Sequence, residues 1–484
     1  LETGPAYKKA TKSSGAGGWR TYRGDNMRSG SNDTAVASKL KTGWRVMLGG
    51  KLSPATVADG KVFVAAVDRH TVYALDSKTG DVAWKYVAGG RVDTPPTISG
   101  GLCIFGSRDG WVYCLSAADG KLSWRYRAVA QERTIVSYDQ LESTWPVSGA
   151  VLVQDGSVYC VAGRSMFLDG GLHLLKLDAT TGKLQFEEIM DDKLPGGDKP
   201  LHTTARGLDM PVALPDILSS DGKRLYMRSQ TIGLDGKRPT VLASGPSDQG
   251  GEEAHLVCSS GYLDDTWFHR AYWVFGHGYG TGHNGWFRAG RFAPAGRMLV
   301  FNKDSVFGYG RKPNMYVWSS ALEYQLYSAG RNVKPEAIKR VVATNRKQEG
   351  KEGHIITFDR KKYGAHPLPD ISAIDFNWRK ENPPIQTRAM ALAGKTLFVA
   401  GPTDVVDEEA IFANPFDKEL IGKATKQVAA IKGKGAAMLM SVSTESGEKL
   451  SELKLQASPV FDGMAAAEGK LFIVTMDGTV VCCD

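Results

Sequence analysis

Residues 262–297, YLDDTWFHRAYWVFGHGYGTGHNGWFRAGRFAPAGR, hold three of the chain's nine histidines together with three tryptophans and four arginines. The imidazoles of His269, His277 and His283 have the donor chemistry for zinc, copper or nickel, although their spacing follows no established metal motif. The same residues could instead work on an acidic polysaccharide, lyase-fashion. His277 or His283 would then be the base, Tyr279 the acid, and Arg288 or Arg291 the cation that neutralises a uronate. A third use is recognition alone, with Trp267, His269, Trp286 and Arg291 stacking on rings and pairing with carboxylates or sulfates. Beside these stands a structural use, in which Trp267, Trp273 and Trp286 fill space between neighbouring units.

Any such loop needs a rigid frame, and internal repetition supplies one. HTVYALDSKTGDVAW (70–84) and GWVYCLSAADGKLSW (110–124) align with a 40-residue offset, Tyr73 to Tyr113 and Trp84 to Trp124. Each reads as a hairpin: alternating apolar residues, a turn with an acceptor such as Asp76 and a glycine such as Gly80, then a strand ending on a large ring. A second recurrent piece, a turn followed by a short apolar strand, appears as DGKVFVA (59–65), GGLCIFG (100–106), DGSVYCV (155–161), DGKRLYM (221–227), AGKTLFV (393–399) and EGKLFIV (468–474). Weaker hairpin copies are LLKLDATTGKLQF (174–186) and LMSVSTESGEKLS (439–451). Four short strands per unit of this length describe a propeller blade.

The last copy, GTVVCCD (478–484), stops half-way through the hairpin, whereas TGWRVML (42–48) is a strand with no preceding partner. The expected fold is therefore all-β: a seven-bladed β-propeller of four-stranded antiparallel blades, closed by an N-terminal strand that completes the C-terminal blade. The blades fall near 54–87, 94–129, 145–190, 209–275, 286–380, 386–455, and 458–484 with 40–48, and eight blades fit if the long fifth segment hides two. Residues 1–39 read as a polar N-terminal extension and 40–484 as one domain with insertions near 230–297, 330–353 and 402–434. Stretches 335–348 and 407–431 carry apolar residues at helical spacing.

Composition narrows the function classes. The chain has 484 residues, 42% hydrophobic, with a net charge of +8 spread along its length. Basic residues gather mainly at 339–351, without the interleaved aromatics of a nucleic-acid surface, so no nucleic-acid partner is expected. No apolar run is long enough to span a bilayer. The N-terminal LETGPAYKKATKSSGAGGW contains no signal-peptide core. None of the six cysteines forms a CxxC pair.

The VYALDSKTGDVAW and VYCLSAADGKLSW units resemble the repeat of the PQQ-binding-like β-propellers, which include quinoprotein dehydrogenases and the outer-membrane assembly lipoprotein of the Bam machinery. The opening GWRTYRGDNMRSG with TGWRV resembles a secreted bacterial subgroup of that family, which implies a periplasmic or extracellular protein. Quinoprotein dehydrogenases hold their quinone with a vicinal disulfide, a stacking tryptophan and calcium. Cys482-Cys483 is the one vicinal pair here, but adjacent strand side chains face opposite ways, so PQQ is not expected. No cofactor is predicted, with a metal ion as the alternative. The expected function is a non-catalytic binding or scaffold module that takes a protein or polysaccharide ligand on its loop-bearing face. A polysaccharide lyase using the 262–297 loop is the alternative, and a quinone-dependent oxidoreductase stands behind both.

Overall fold

The structure is a computed structural model. It describes residues 1–9, 18–200, 215–239, 249–258, 260–266, 272–277, 290, 292–311, 324–341, 343 and 372–484. Eight antiparallel sheets follow one another along the chain as blades. Blade 1 is Thr56–Ala58, Lys61–Ala66, Thr71–Asp76 and Val82–Val87. Blade 2 is Thr97–Ser99, Leu102–Gly106, Trp111–Ser116 and Leu122–Arg127. Blade 3 is Leu152–Gln154, Ser157–Ala162, Leu172–Asp178 and Leu184–Met190. Blade 4 (Ser219–Ser220, Arg224–Met227, Gln230–Gly233) and blade 5 (His255–Cys258, Trp273–Gly276, Ala295–Gly296) show three strands each among the described residues. Blade 6 is Met298–Phe301, Ser305–Arg311, Tyr324–Gly330 and Phe376–Glu381. Blade 7 is Ala389–Ala393, Thr396–Gly401, Ala437–Ser443 and Lys449–Leu455. Blade 8 joins Pro459–Ala467, Lys470–Thr475 and Thr479–Cys483 to Thr42–Met47, with Trp44 opposite Cys482 and Val46 opposite Val480.

Eight blades correct the expected seven. The fifth segment is not the one that hides two. The stretch expected as a single blade at 209–275 carries blade 4 and the first two strands of blade 5, whose third strand is Ala295–Gly296. Blade 5 has no turn-plus-strand signature, and its Trp273 opens the middle strand, opposite Cys258, whereas Trp84 and Trp124 lie in the outermost strands of their blades.

The repeat's tryptophan and glycine turn out to be one device that spans two blades. The ring of Trp44 lies on Gly80 of blade 1, Trp84 on Gly120 of blade 2, Trp124 on Gly182 of blade 3, and Trp378 of blade 6 on Gly447 of blade 7. A Cβ at Gly120 would come within 2.7 Å of the Trp84 ring. Each indole Nε1 donates to a carbonyl of the same neighbouring turn: Ser77 at 3.1 Å, Ala117 at 3.1 Å, Ala179 at 3.0 Å and Thr444 at 2.8 Å. The glycines also sit at positive φ, +71° at Gly120, where a side chain is strained. The Asp76 carboxylate holds its own turn by accepting from the backbone N–H groups of Lys78 and Thr79, which keep its pKa below the usual value.

The N-terminal stretch is woven into the ring. Trp19 exchanges backbone bonds with Val57 of blade 1, and Ile98 of blade 2 donates to the Arg20 carbonyl. Asn26 Nδ2 donates to Val153 of blade 3 at 2.9 Å, and Ser220 of blade 4 donates to the Asn26 carbonyl. Tyr22 meets Tyr262, beyond the first strand of blade 5, edge to face. Phe301 of blade 6 donates to Ser29, Ser31–Asn32 pairs parallel with Leu392–Ala393 of blade 7, and Asn32 Nδ2 reaches Ala466 of blade 8. One short segment thus bonds to every blade.

The 407–431 stretch is two helices rather than one. Glu408–Ala413 ends at Asn414, ahead of Pro415, and Lys418–Ile431 restarts on the Asp417 cap, whose side chain accepts from Glu419 and Leu420. Residues 335–341 are helical, while the rest of 335–348 lies almost wholly outside the described residues. Among the described residues no helix is long and apolar enough to cross a membrane.

Candidate functional site

The first strands of blades 1–4 and 6–8 bond to the N-terminal segment. Chain segments from blades 1, 2, 5, 7 and 8 surround a depression of about 500 Å³. Its lining includes Lys51, Arg91, Arg108 and Arg388 against Asp93 and Asp265, with Leu52, Leu263, Val460, Phe461 and Met476 as apolar surface. Next to the lining residue Phe461, Asp462 is held by Arg23 of the N-terminal segment. Its guanidinium forms a buried ion pair with Asp462 at 2.7 Å, lies 4.5 Å from the Trp273 ring, and donates to the Leu299 carbonyl.

One wall is an ion network built by non-repeat connections. Arg91 and Asp93 precede blade 2, Arg108 sits in that blade's second turn, and Glu142 comes from a separate hairpin, Thr134–Ser137 with Gln140–Ser143. Arg91 meets Asp93 and Glu142 at 3.1 Å each, and Arg108 meets Asp93 at 2.6 Å and Glu142 at 3.5 Å. Two arginines thus share two buried carboxylates, an arrangement in which each charge is desolvated but paired. Burial lowers the pKa of Arg108 and Asp93 raises it, with a net upward shift.

The hairpin turns at Tyr138 and Asp139, both at positive φ, as a two-residue turn requires. Its tip is tied to blade 1: Gln140 Oε1 accepts from His70 Nε2 at 2.7 Å, and Gln140 Nε2 donates to the Asp68 carbonyl. Tyr138 stacks its ring 4.4 Å from Arg91 yet is 75% exposed, as is Val136. The hairpin therefore carries an apolar tip beside a charged well.

The opposite wall is Arg388, 2% exposed. Its Nε donates to Pro459 and its Nη1 to Ile431, the last residue of the longer helix, where the helix dipole favours a cation. Its acidic neighbour is the exposed Asp265 at 3.7 Å. Burial pulls the Arg388 pKa down and Asp265 offsets only part of that. A desolvated guanidinium of this kind is a receptor for a carboxylate or sulfate.

Trp267, His269, Tyr279, His283, Trp286, Arg288 and Arg291 lie outside the described residues. His277 directly follows the strand Trp273–Gly276; its backbone N–H donates to Gln249 Oε1, and its Nε2 is buried with no hydrogen-bond partner among the described residues. Among the described residues no three His, Cys, Asp or Glu side chains cluster as a metal site would need. The depression itself was not foreseen. Arg91, Asp93, Arg108, Glu142 and Arg388 come from connections outside the repeat, and no spacing links them.

A family model described as outer membrane protein assembly factor BamB matches residues 11–141 and 96–230. This chain is a β-propeller with PQQ-like repeats, similar to that family over less than half of its length. No curated protein matches it. Among solved structures it is similar to quinohemoprotein alcohol dehydrogenase from Comamonas testosteroni, with TM-score 0.53 at 14% identity over 96% of this chain and 80% of that one. The alcohol dehydrogenase ADHIIG from Pseudomonas putida HK5 gives the same TM-score at 12% identity, over 97% and 80%. At these identities the likeness is one of fold. Cys482 and Cys483 are free, buried in a paired strand of blade 8, and do not line the depression.

Proposed function

We propose that this PQQ-like propeller is a non-catalytic binding module of the periplasm or cell exterior, and that it receives an acidic segment of a partner protein in its central depression. The observation that carries this reading is Arg388, a buried guanidinium at the depression whose ion pair, to the exposed Asp265, is long at 3.7 Å. The hairpin with Val136 and Tyr138 exposed supports a protein rather than a sugar, because it adds apolar contact beside the charged well. The description of the matching family as an assembly factor supports a protein partner as well. The same reading takes the sheet shared by Thr42–Met47 and Thr479–Cys483 as the clasp that shuts the ring around this well.

Titration with acidic peptides containing aromatic residues tests it. Binding is expected to weaken roughly tenfold for Arg388→Gln, about the worth of one charged hydrogen bond, and to weaken with salt. If sulfated oligosaccharide or PQQ binds instead, with acidic peptides inert, the protein-partner reading fails.

A further inference from the structure

Glu2–Thr3 forms a fifth strand on blade 2, antiparallel to its outermost strand, with Glu2 opposite Arg125 and Thr3 opposite Trp124. Gly4 N–H then donates to Ser123 at 2.8 Å and Ala6 N–H to Leu122 at 3.0 Å. The Glu2 carboxylate takes Arg125 Nε at 2.7 Å and Nη2 at 2.6 Å. A Cβ at Gly182 would touch Leu1, so the strip sits in the notch between blade 2 and the next blade's glycine turn.

Blade 1 repeats this edge. Tyr73 pairs with Lys85 as Tyr113 pairs with Arg125, and Ala74 with Trp84 as Cys114 with Trp124. The register shifts at the same place, between Ala74 and Leu75 as between Cys114 and Leu115. The notch recurs too, with Trp84 on Gly120 in place of Trp124 on Gly182. Yet Val82–Val87 ends its sheet with no strand beyond it among the described residues, Val82 and Val87 are exposed, and Lys85 makes no ion pair among the described residues. A lysine on an edge strand ordinarily deters association. At blade 2 the equivalent cation instead selects an acid.

We propose that the outer edge of blade 1, Val82–Val87, is a docking strip for an extended, acid-bearing segment of a partner protein. The segment adds as a fifth antiparallel strand, places a glutamate or aspartate against Lys85, and carries glycine two residues later where Gly4 passes close to Leu122 in blade 2. This strip lies on the rim of the ring, and its occupancy is independent of the central depression.

The test uses the intact chain and the peptide Leu-Glu-Thr-Gly-Pro-Ala, with amide exchange as the readout. The expected result is slowed exchange within Val82–Val87, affinity reduced about tenfold or more by Lys85→Glu, and recovery when the peptide's glutamate is changed to lysine. Three results would overturn the proposal: no protection at millimolar peptide, protection confined to Leu122–Arg127, or binding indifferent to both charge reversals.

Discussion

Trp84 shows how a single side chain joins two sheets. Its ring covers Gly120 and its Nε1 is bonded to the Ala117 carbonyl, so Trp84→Ala removes both apolar area and a hydrogen bond. The expected cost is about 3–5 kcal/mol, within the range for buried aromatic truncations, read as a lowered denaturation midpoint. A second residue sets a pH dependence. His255 is buried against the Tyr226 ring at 3.9 Å, and burial lowers its pKa below the ordinary value of about 6.5. The unfolded chain therefore binds the proton more readily. The stabilising contribution is complete above about pH 6.5 and is lost as pH falls toward the depressed native value. Melting temperature should drop across that window, and a His255→Gln variant should flatten the profile.

At the scale of elements, what repeats was legible and what interrupts was not. Tyr73 and Tyr113 with Trp84 and Trp124 announced the blades because each pair recurs at equal offset and each hairpin must bury the same face. Blade 5 escaped because His255–Cys258 and Trp273–Gly276 lack the acceptor, the turn glycine and the terminal ring. The hairpin carrying Glu142 escaped for a related reason: it is an insertion whose contacts, to Arg91, Arg108 and His70, are all distant in sequence. Segment 262–297 drew attention by composition, but composition does not tell which side chains converge. Glu142→Ala should cost about 3–5 kcal/mol, since it leaves the buried Arg91 and the partly buried Arg108 sharing Asp93, with only the exposed Asp68 as a further partner for Arg91. Glu142→Gln, which keeps the shape and loses the charge, should fall between the two in chemical denaturation.

For the whole molecule, stability is expected to rest on two non-local ties: the N-terminal segment's bonds to all eight blades, and the inferred clasp in blade 8. A chain beginning at residue 37 keeps every blade strand except the added Glu2–Thr3 and Ser31–Asn32, but loses the first tie. Its midpoint should fall by about 5 °C, several kcal/mol in a protein of this size, and a peptide of residues 18–36 supplied in trans should restore part of that loss. Calorimetry that finds the shortened chain unchanged would show the segment to be dispensable.

The same weave fixes an order of events at the ribosome. The last partner of Trp19 to Asn32, Ala466, is made more than four hundred residues after them. At about 5–20 residues per second, this segment waits tens of seconds with its aromatic rings and Arg23 unsheltered. Native assembly is therefore a post-translational act, and the interval before it is when a chaperone would have most to protect.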